Sequence, residues 1–147
     1  MKRKILNTLK LSFPSRSANE ALARSIAAAF VSQLDPTMEE LCDVKTAVSE
    51  AVTNAVVHAY PDRVGTIEMT LRLLEGGEID ISVRDKGRGI ENIDLARTPT
   101  YTTGGADRSG MGFTIMESFM DGVIVRSRPG KGTTVTLRKV LQARQEE

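Results

Sequence analysis

The chain contains no tryptophan, one cysteine and one histidine, and only four Phe and two Tyr among its 147 residues. So few aromatics leave little from which to build the base-stacking platforms of single-stranded nucleic-acid binders. Cys42 has no second cysteine to pair with, which agrees with a reducing cytoplasm. His58 without a cysteine cluster supplies no transition-metal ligand set. An excess of charge is missing too. Twenty basic residues against 19 acidic ones leave a formal net charge of +1, so no global field draws the protein to nucleic acid or to an acidic membrane. No apolar run approaches the roughly 20 residues of a membrane-spanning helix. The basic start Met-Lys-Arg-Lys leads into no apolar segment of signal length and reads as a frayed terminus. The expectation is a cytoplasmic protein with no membrane and no direct nucleic-acid partner. A hydrophobic content of 40% and a charged content of 27% are ordinary for a globular domain, and the length suits one domain over 1–147.

Hydrophobic periodicity divides the chain. Leu9, Leu11 and Phe13 alternate with polar residues, which predicts a strand over 5–13. Ser17-Ala-Asn-Glu20 has the capping-box pattern, followed by a helical stripe of Leu22, Ile26, Ala29, Phe30 and Leu34, with Arg24 on the opposite, exposed face. Asp35-Pro36 breaks the chain, and Thr37-Met-Glu-Glu40 is a second capping box. The helix behind it buries Leu41, Val44, Val48, Ala51, Val52, Ala55 and Ala59 and ends near Ala59, before Pro61. Alternating runs over 67–73 and 79–83 flank the hairpin turn Glu75-Gly-Gly-Glu78. A short helix is expected over 90–97. Residues 98–110 show no periodicity and read as a loop of functional length. Gly110-Met-Gly112 opens a further helix through Phe113, Met116 and Met120. Two last strands, 122–128 and 133–140, are joined by Pro129-Gly-Lys-Gly132, and the charged tail from Gln142 reads as disordered. The order predicts an α+β two-layer sandwich: a mainly antiparallel mixed sheet with helices on one face.

Chemistry concentrates in a few places. Glu50 and Asn54 stand four residues apart, which stacks them on one helix face about 5–6 Å apart at Cβ. A carboxylate base beside a neutral oxygen ligand suits a site that holds Mg²⁺ and activates a hydroxyl, although such pairs are also common on solvated helix faces. Asp85-Lys-Gly87-Arg-Gly89 leaves a strand with an acceptor at its mouth and two positions where backbone can approach a flat ligand. A plain strand-to-loop turn has the same composition. Arg108-Ser109-Gly110-Met111-Gly112 enters a helix, where exposed amides and the helix dipole favour anions, and Arg108 adds a planar cation suited to a terminal phosphate. Gly130-Lys-Gly-Thr-Thr134 lacks the phosphate-loop spacing and joins two strands, so it is a hairpin turn with at most an added contact to a base. The dinucleotide fingerprint fails because Asn92 stands where a third glycine is required.

The joint order is specific: E-x-x-x-N on a helix, D-x-G-x-G after a strand, an irregular loop, then G-x-G opening a helix. It resembles the gyrase–Hsp90–histidine-kinase–MutL ATPase superfamily, whose ATP-binding unit is the Bergerat fold. Within it, Gln33-Leu-Asp-Pro-Thr-Met38, Val48-Ser-Glu-Ala-Val-Thr-Asn54 and Arg108-Ser-Gly-Met-Gly-Phe-Thr-Ile-Met-Glu117 resemble the family of sporulation anti-sigma factors that are also serine-protein kinases. Residues 1–8 fall outside that resemblance. So does Ala59-Tyr60, where many relatives carry Gly, which leaves the helix terminus open.

The resemblance implies an Mg-ATP site. Asn54 would hold Mg²⁺, Glu50 would orient or deprotonate the attacking hydroxyl, and Asp85, Gly87, Gly89 and Thr133 would receive the base. Residues 98–110 would form a lid. Thr103, Gly104, Gly105, Arg108, Ser109, Gly110, Met111 and Gly112 would lie on the phosphates. It further implies a sigma-F-like sigma factor as one partner, an anti-anti-sigma factor as the serine substrate and a homodimer. Exposed Arg24 is, separately from the resemblance, a candidate partner contact, and a solvated helix arginine reads the same way. A stress-response anti-sigma kinase, a detached histidine-kinase catalytic domain and an ATP-dependent binding module without transfer remain alternatives. The histidine-kinase alternative is the weakest, because His58 lies in the nucleotide-site helix rather than on a phosphoacceptor helix of its own.

Overall fold

A computed structural model describes residues 3–90 and 112–142. Strand β1 (Ile5–Pro14) is followed by helix α1 (Ala18–Val31), a 3₁₀ turn (Ser32–Leu34) and helix α2 (Met38–Asn54), which widens into a π turn (Ala55–Ala59). Strands β2 (Thr66–Leu74) and β3 (Glu78–Asp85), helix α3 (Gly112–Phe119) and strands β4 (Gly122–Arg128) and β5 (Gly132–Val140) complete the order. The sheet runs β1-β2-β3-β5-β4. All four pairings are antiparallel, so among the described residues the sheet has no mixed pair. It is an α+β sandwich whose helices lie on one face, and the expected short helix over 90–97 falls almost wholly outside the described residues.

Period-two alternation decides which face is covered. Ile67, Met69, Leu71 and Leu73 of β2, Ile79, Ile81 and Val83 of β3, and Val135 and Leu137 of β5 are buried beneath the helices, while their neighbours face outward. Lys139 continues the buried series of β5. Its ammonium snorkels out to Asp43 of α2 at 3.5 Å and donates to the Phe119 carbonyl at the end of α3 at 2.9 Å, where a cation suits the helix dipole. The hairpin turn between β2 and β3 places Gly76 at φ +85° and Gly77 at φ +79°, a conformation that side chains resist.

The two capping boxes part company. At α2, Thr37 Oγ accepts the Glu40 amide at 3.0 Å, and Glu40 Oε1 accepts the Thr37 amide at 2.9 Å. At α1 the expected box is absent: Ser17 is itself helical at φ −59°, ψ −31°, and its side chain caps nothing. Glu20 is spent elsewhere, because its Oε2 accepts the Ser49 hydroxyl of α2 at 2.7 Å and lies 3.4 Å from Arg24. The α1 stripe is shifted for the same reason of packing. Small residues Ala23 and Ala27, with Phe30 and Val31, face α2, while Leu22 is 49% exposed and Ala29 lies outside the core. Arg24 is therefore half-buried beside Glu20 rather than free on an opposite face. On α2 the predicted stripe holds except that Leu41 is only half-buried and Ala47 joins it. Gln142 is tied down by its amide to Glu40 Oε2 at 2.9 Å, and the rest of the expected disordered tail, 143–147, lies outside the described residues.

Replacing Thr37 by Ala should lower unfolding stability by about 0.5–2 kcal/mol. Ser17→Ala should stay within roughly 0.5 kcal/mol of the parent, as a surface change that removes no cap. Urea denaturation of the two variants checks the contrast.

Candidate functional site

The site is built where the end of α2 meets two chain reversals at one end of the sheet. Glu50 and Asn54 lie on the last turns of α2, both half-buried beside the core positions Val48, Ala51 and Val52. Directly after Asn54 the helix widens for one turn, a feature often found at functional sites. The π turn carries the Ala59 carbonyl to the glycine turn after β3, where it accepts the Arg88 amide at 3.1 Å. A Cβ at Gly87 would strike that same carbonyl, so glycine is the residue that lets helix end and turn touch. The uncertain helix terminus is thereby settled by packing rather than by a glycine after His58. Tyr60 leaves the π turn and locks the junction: its hydroxyl donates to the Thr66 carbonyl at 2.9 Å and accepts the Lys86 amide at 2.7 Å.

Asp85 closes β3 in the row that faces the helices and is 7% exposed. Its Oδ1 accepts the Gly87 amide at 2.9 Å and the Thr133 amide at 3.2 Å. Among the described residues Oδ2 takes no hydrogen bond, and no buried side-chain oxygen or nitrogen there is sealed off without a partner. Oδ2 thus remains reachable as an acceptor. Burial raises the Asp85 carboxyl above its ordinary value of 3.8, and the two amide bonds counter this only in part. Gly89, at φ +77°, is pressed so closely to the Arg128 carbonyl that a Cβ would strike it, and the Arg88 carbonyl accepts the Gly130 amide at 2.7 Å. The turn after β3 and the β4–β5 turn therefore form one unit. Thr133 stands opposite Asp85 on β5 and is buried.

Gly112, the first residue of α3, joins the α2 side of the site. A Cβ there would lie 3.1 Å from Asn54 Oδ1 and 3.2 Å from Nδ2, closer than ordinary contact allows. Among the described residues the Asn54 carboxamide makes no hydrogen bond of its own. An unpartnered oxygen beside a helix start, whose amides favour anions, fits an Mg²⁺ that keeps most of its ligands as water and phosphate. The unpaired Asp85 Oδ2 fits the amino group of a base.

Of the positions expected from sequence, Glu50, Asn54, Asp85, Gly87, Gly89, Gly112 and Thr133 are thus linked through the helix end, the two turns and the start of α3. Thr103, Gly104, Gly105, Arg108, Ser109, Gly110 and Met111 lie outside the described residues. Arg24 reaches toward the cluster only through Glu20, which accepts the hydroxyl of Ser49, the residue before Glu50. Two residues escaped the sequence reading. Tyr60 carries no local signal. Ser127 does, since it follows Val123 and Val125 at period two and so falls on the core-facing side of β4 as a hydroxyl among apolar neighbours.

A family model, histidine kinase-like ATPase domain, matches residues 13–139. An Anti-sigma F factor of Clostridium kluyveri is 51% identical over 138 residues, spanning 93% of this chain and 96% of that protein. An Anti-sigma F factor of Geobacillus thermodenitrificans is 54% identical over 134 residues, spanning 90% and 92%. The chain belongs to the histidine kinase-like ATPase domain family and, within it, to the anti-sigma F factors. Solved structures agree on the fold. The RsbU and RsbW domains of a Mycobacterium tuberculosis protein superpose with a TM-score of 0.67 at 21% identity, over 92% of this chain and 32% of that one. A blue-light activated histidine kinase of Erythrobacter litoralis superposes with a TM-score of 0.58 at 21% identity, over 80% and 40%.

The raised Asp85 carboxyl makes a signed prediction. Above pH 3.8 and up to its folded-state value, the folded protein holds a proton at Asp85 that the unfolded chain has lost. That contribution to stability is fully present below the unfolded value and disappears as pH rises through the folded one. Asp85→Asn should remove it, so the stability of the parent relative to the variant should rise as pH falls through this window. Urea titrations of both proteins across the acid range measure the difference.

Proposed function

We propose that this chain is an anti-sigma factor that binds a sigma-F-like sigma factor and, with Mg-ATP, phosphorylates a serine of an anti-anti-sigma partner. The observation that carries the reading is the convergence of Glu50, Asn54 and Gly112 with the Asp85 turn, one acceptor at each end of the site left open for a ligand. The identity of the curated relatives supports the sigma-factor partner. In this reading Asp85 and Thr133 receive the adenine amine, and Gly87 and Gly89 let the base lie against backbone. Gly112, with Thr103, Gly104, Gly105, Arg108, Ser109, Gly110 and Met111, supplies donors to the phosphates.

Asn54 would hold Mg²⁺, which when bound neutralises phosphate charge and fixes the phosphoryl group for in-line transfer. Glu50 orients the incoming serine hydroxyl and takes its proton. Phosphoryl transfer asks a protein mostly for positioning and charge neutralisation, which this donor set supplies. The protein acts in the cytoplasm as a homodimer, folded as one domain, and Arg24 contacts a partner from its place beside Glu20. Nucleotide state selects between partners, and a coupling of about 1–3 kcal/mol would bias that choice some 5–150-fold.

Glu50→Gln should keep ATP affinity and sigma-factor binding while losing roughly 10²–10⁴ in transfer rate. A radiolabelled transfer assay with the co-purified anti-anti-sigma partner reads this, and an undiminished rate removes Glu50 as the base. If mass spectrometry finds no phosphate on that partner after incubation of the parent protein with Mg-ATP, the chain is a nucleotide-dependent binding module instead.

A further inference from the structure

One cross-strand row at the mouth of the sheet holds three polar side chains, Asp85 on β3, Thr133 on β5 and Ser127 on β4, each opposite the next. The function proposed above uses the first two and leaves Ser127 without a role. Its hydroxyl is the most heavily engaged in the row. Ser127 Oγ accepts the Ile90 amide at 2.7 Å, lies 3.0 Å from the Gly132 carbonyl and 2.7 Å from Thr133 Oγ1.

A serine hydroxyl has one proton and two lone pairs. The Gly132 carbonyl can only accept, so the Ser127 proton must go there. Were it turned to Thr133 instead, two oxygens would face each other at 3.0 Å, lone pair to lone pair. The Ile90 amide fills one lone pair of Ser127, and the Thr133 hydroxyl therefore donates into the other. Its proton is consumed, and Thr133 Oγ1 keeps only acceptor capacity for a ligand. Asp85 Oδ1 is filled by two amides, and among the described residues Oδ2 is open. The result is two acceptors in register on neighbouring strands, with the hydroxyl proton withdrawn from between them.

We propose that Ser127 is a specificity-determining positioning residue: by taking the Thr133 proton it makes the Asp85–Thr133 pair acceptor-only and so selects a purine with a 6-amino group over one with a 6-oxo group. The inference rests on the ATP reading above. A 6-amino group brings donors to both acceptors, whereas a 6-oxo group brings a third lone-pair-bearing oxygen against them. Without the Ser127 hydroxyl, the Thr133 proton is free to turn toward the ligand and meet a 6-oxo group.

ATP and inosine triphosphate, which differ at this position of the base, are the probes. Their dissociation constants with Mg²⁺ are measured by displacement of a fluorescent nucleotide from the full chain. Ser127→Ala should reduce the preference for ATP by roughly 10-fold or more, chiefly through gained affinity for inosine triphosphate. Ser127→Thr keeps a hydroxyl and should restore the preference to within about threefold of the parent. Thr133→Val removes the hydroxyl that Ser127 orients, so adding Ser127→Ala in that background should leave the ratio unchanged. A Ser127→Ala protein that loses affinity for both nucleotides equally, ratio intact, overturns the inference and leaves the ATP reading standing. So does an equal fall in the ratio in the Thr133→Val background. A parent protein that binds neither nucleotide overturns both.

Discussion

The bond from the Arg88 amide to the Ala59 carbonyl is the contact on which the site depends. It fastens the end of the helix that carries Glu50 and Asn54 to the turn that carries Asp85. Neither part could make the site alone. The helix supplies a carboxylate and a carboxamide on one face, and the sheet supplies an acceptor held by two amides. Gly87 makes the fastening possible because no side chain fits against that carbonyl, and Tyr60 secures it by tying the Lys86 amide to the Thr66 carbonyl. A peptide–peptide hydrogen bond contributes only about 0.5–1.5 kcal/mol net. Its importance here lies in direction, since it fixes where the end of α2 points relative to the sheet.

The same economy runs through the second turn. Gly89 and Gly130 bring the loops after β3 and β4 into backbone contact, Ser127 and Thr133 continue that contact through their hydroxyls, and the Thr133 amide carries it on to the Asp85 carboxylate. Polar groups buried this densely are costly unless every member is satisfied. Among the described residues, Asp85 Oδ2 and the Asn54 carboxamide oxygen take no hydrogen bond. Those two acceptors carry the proposal that this place takes a ligand.

Much of this was legible in the sequence because the signals were local. The Thr37–Glu40 box, the alternation of β2 and β3 and the Gly76–Gly77 turn each follow from residues within a few positions of one another, and the structure has them all. The Glu50–Asn54 spacing and the D-x-G-x-G turn could be read for the same reason. What failed was what tertiary contacts decide. Ser17 and Glu20 have the capping pattern, yet Glu20 gains more from Ser49 and Arg24 across the α1–α2 contact, and small residues Ala23 and Ala27 take the buried face from Leu22 so that the helices can approach. Tyr60 was missed because its partner Lys86 lies 26 positions away in the chain, whereas the alternation of β4 does give Ser127 its core-facing place but not its partner Ile90, 37 positions away.

The π turn at Ala55–Ala59 accommodates one residue more than a regular α-helical turn would. Removing a single residue between Asn54 and Ala59 would let the helix continue undistorted and would gain backbone regularity. It would also replace the wider bonding of this turn by regular α-helical bonding, changing which carbonyl at the helix end is left to accept the Arg88 amide. The segment is thus under a constraint of length rather than of composition. It cannot be shortened without disturbing that contact, because the surplus residue helps to place the Ala59 carbonyl at the turn.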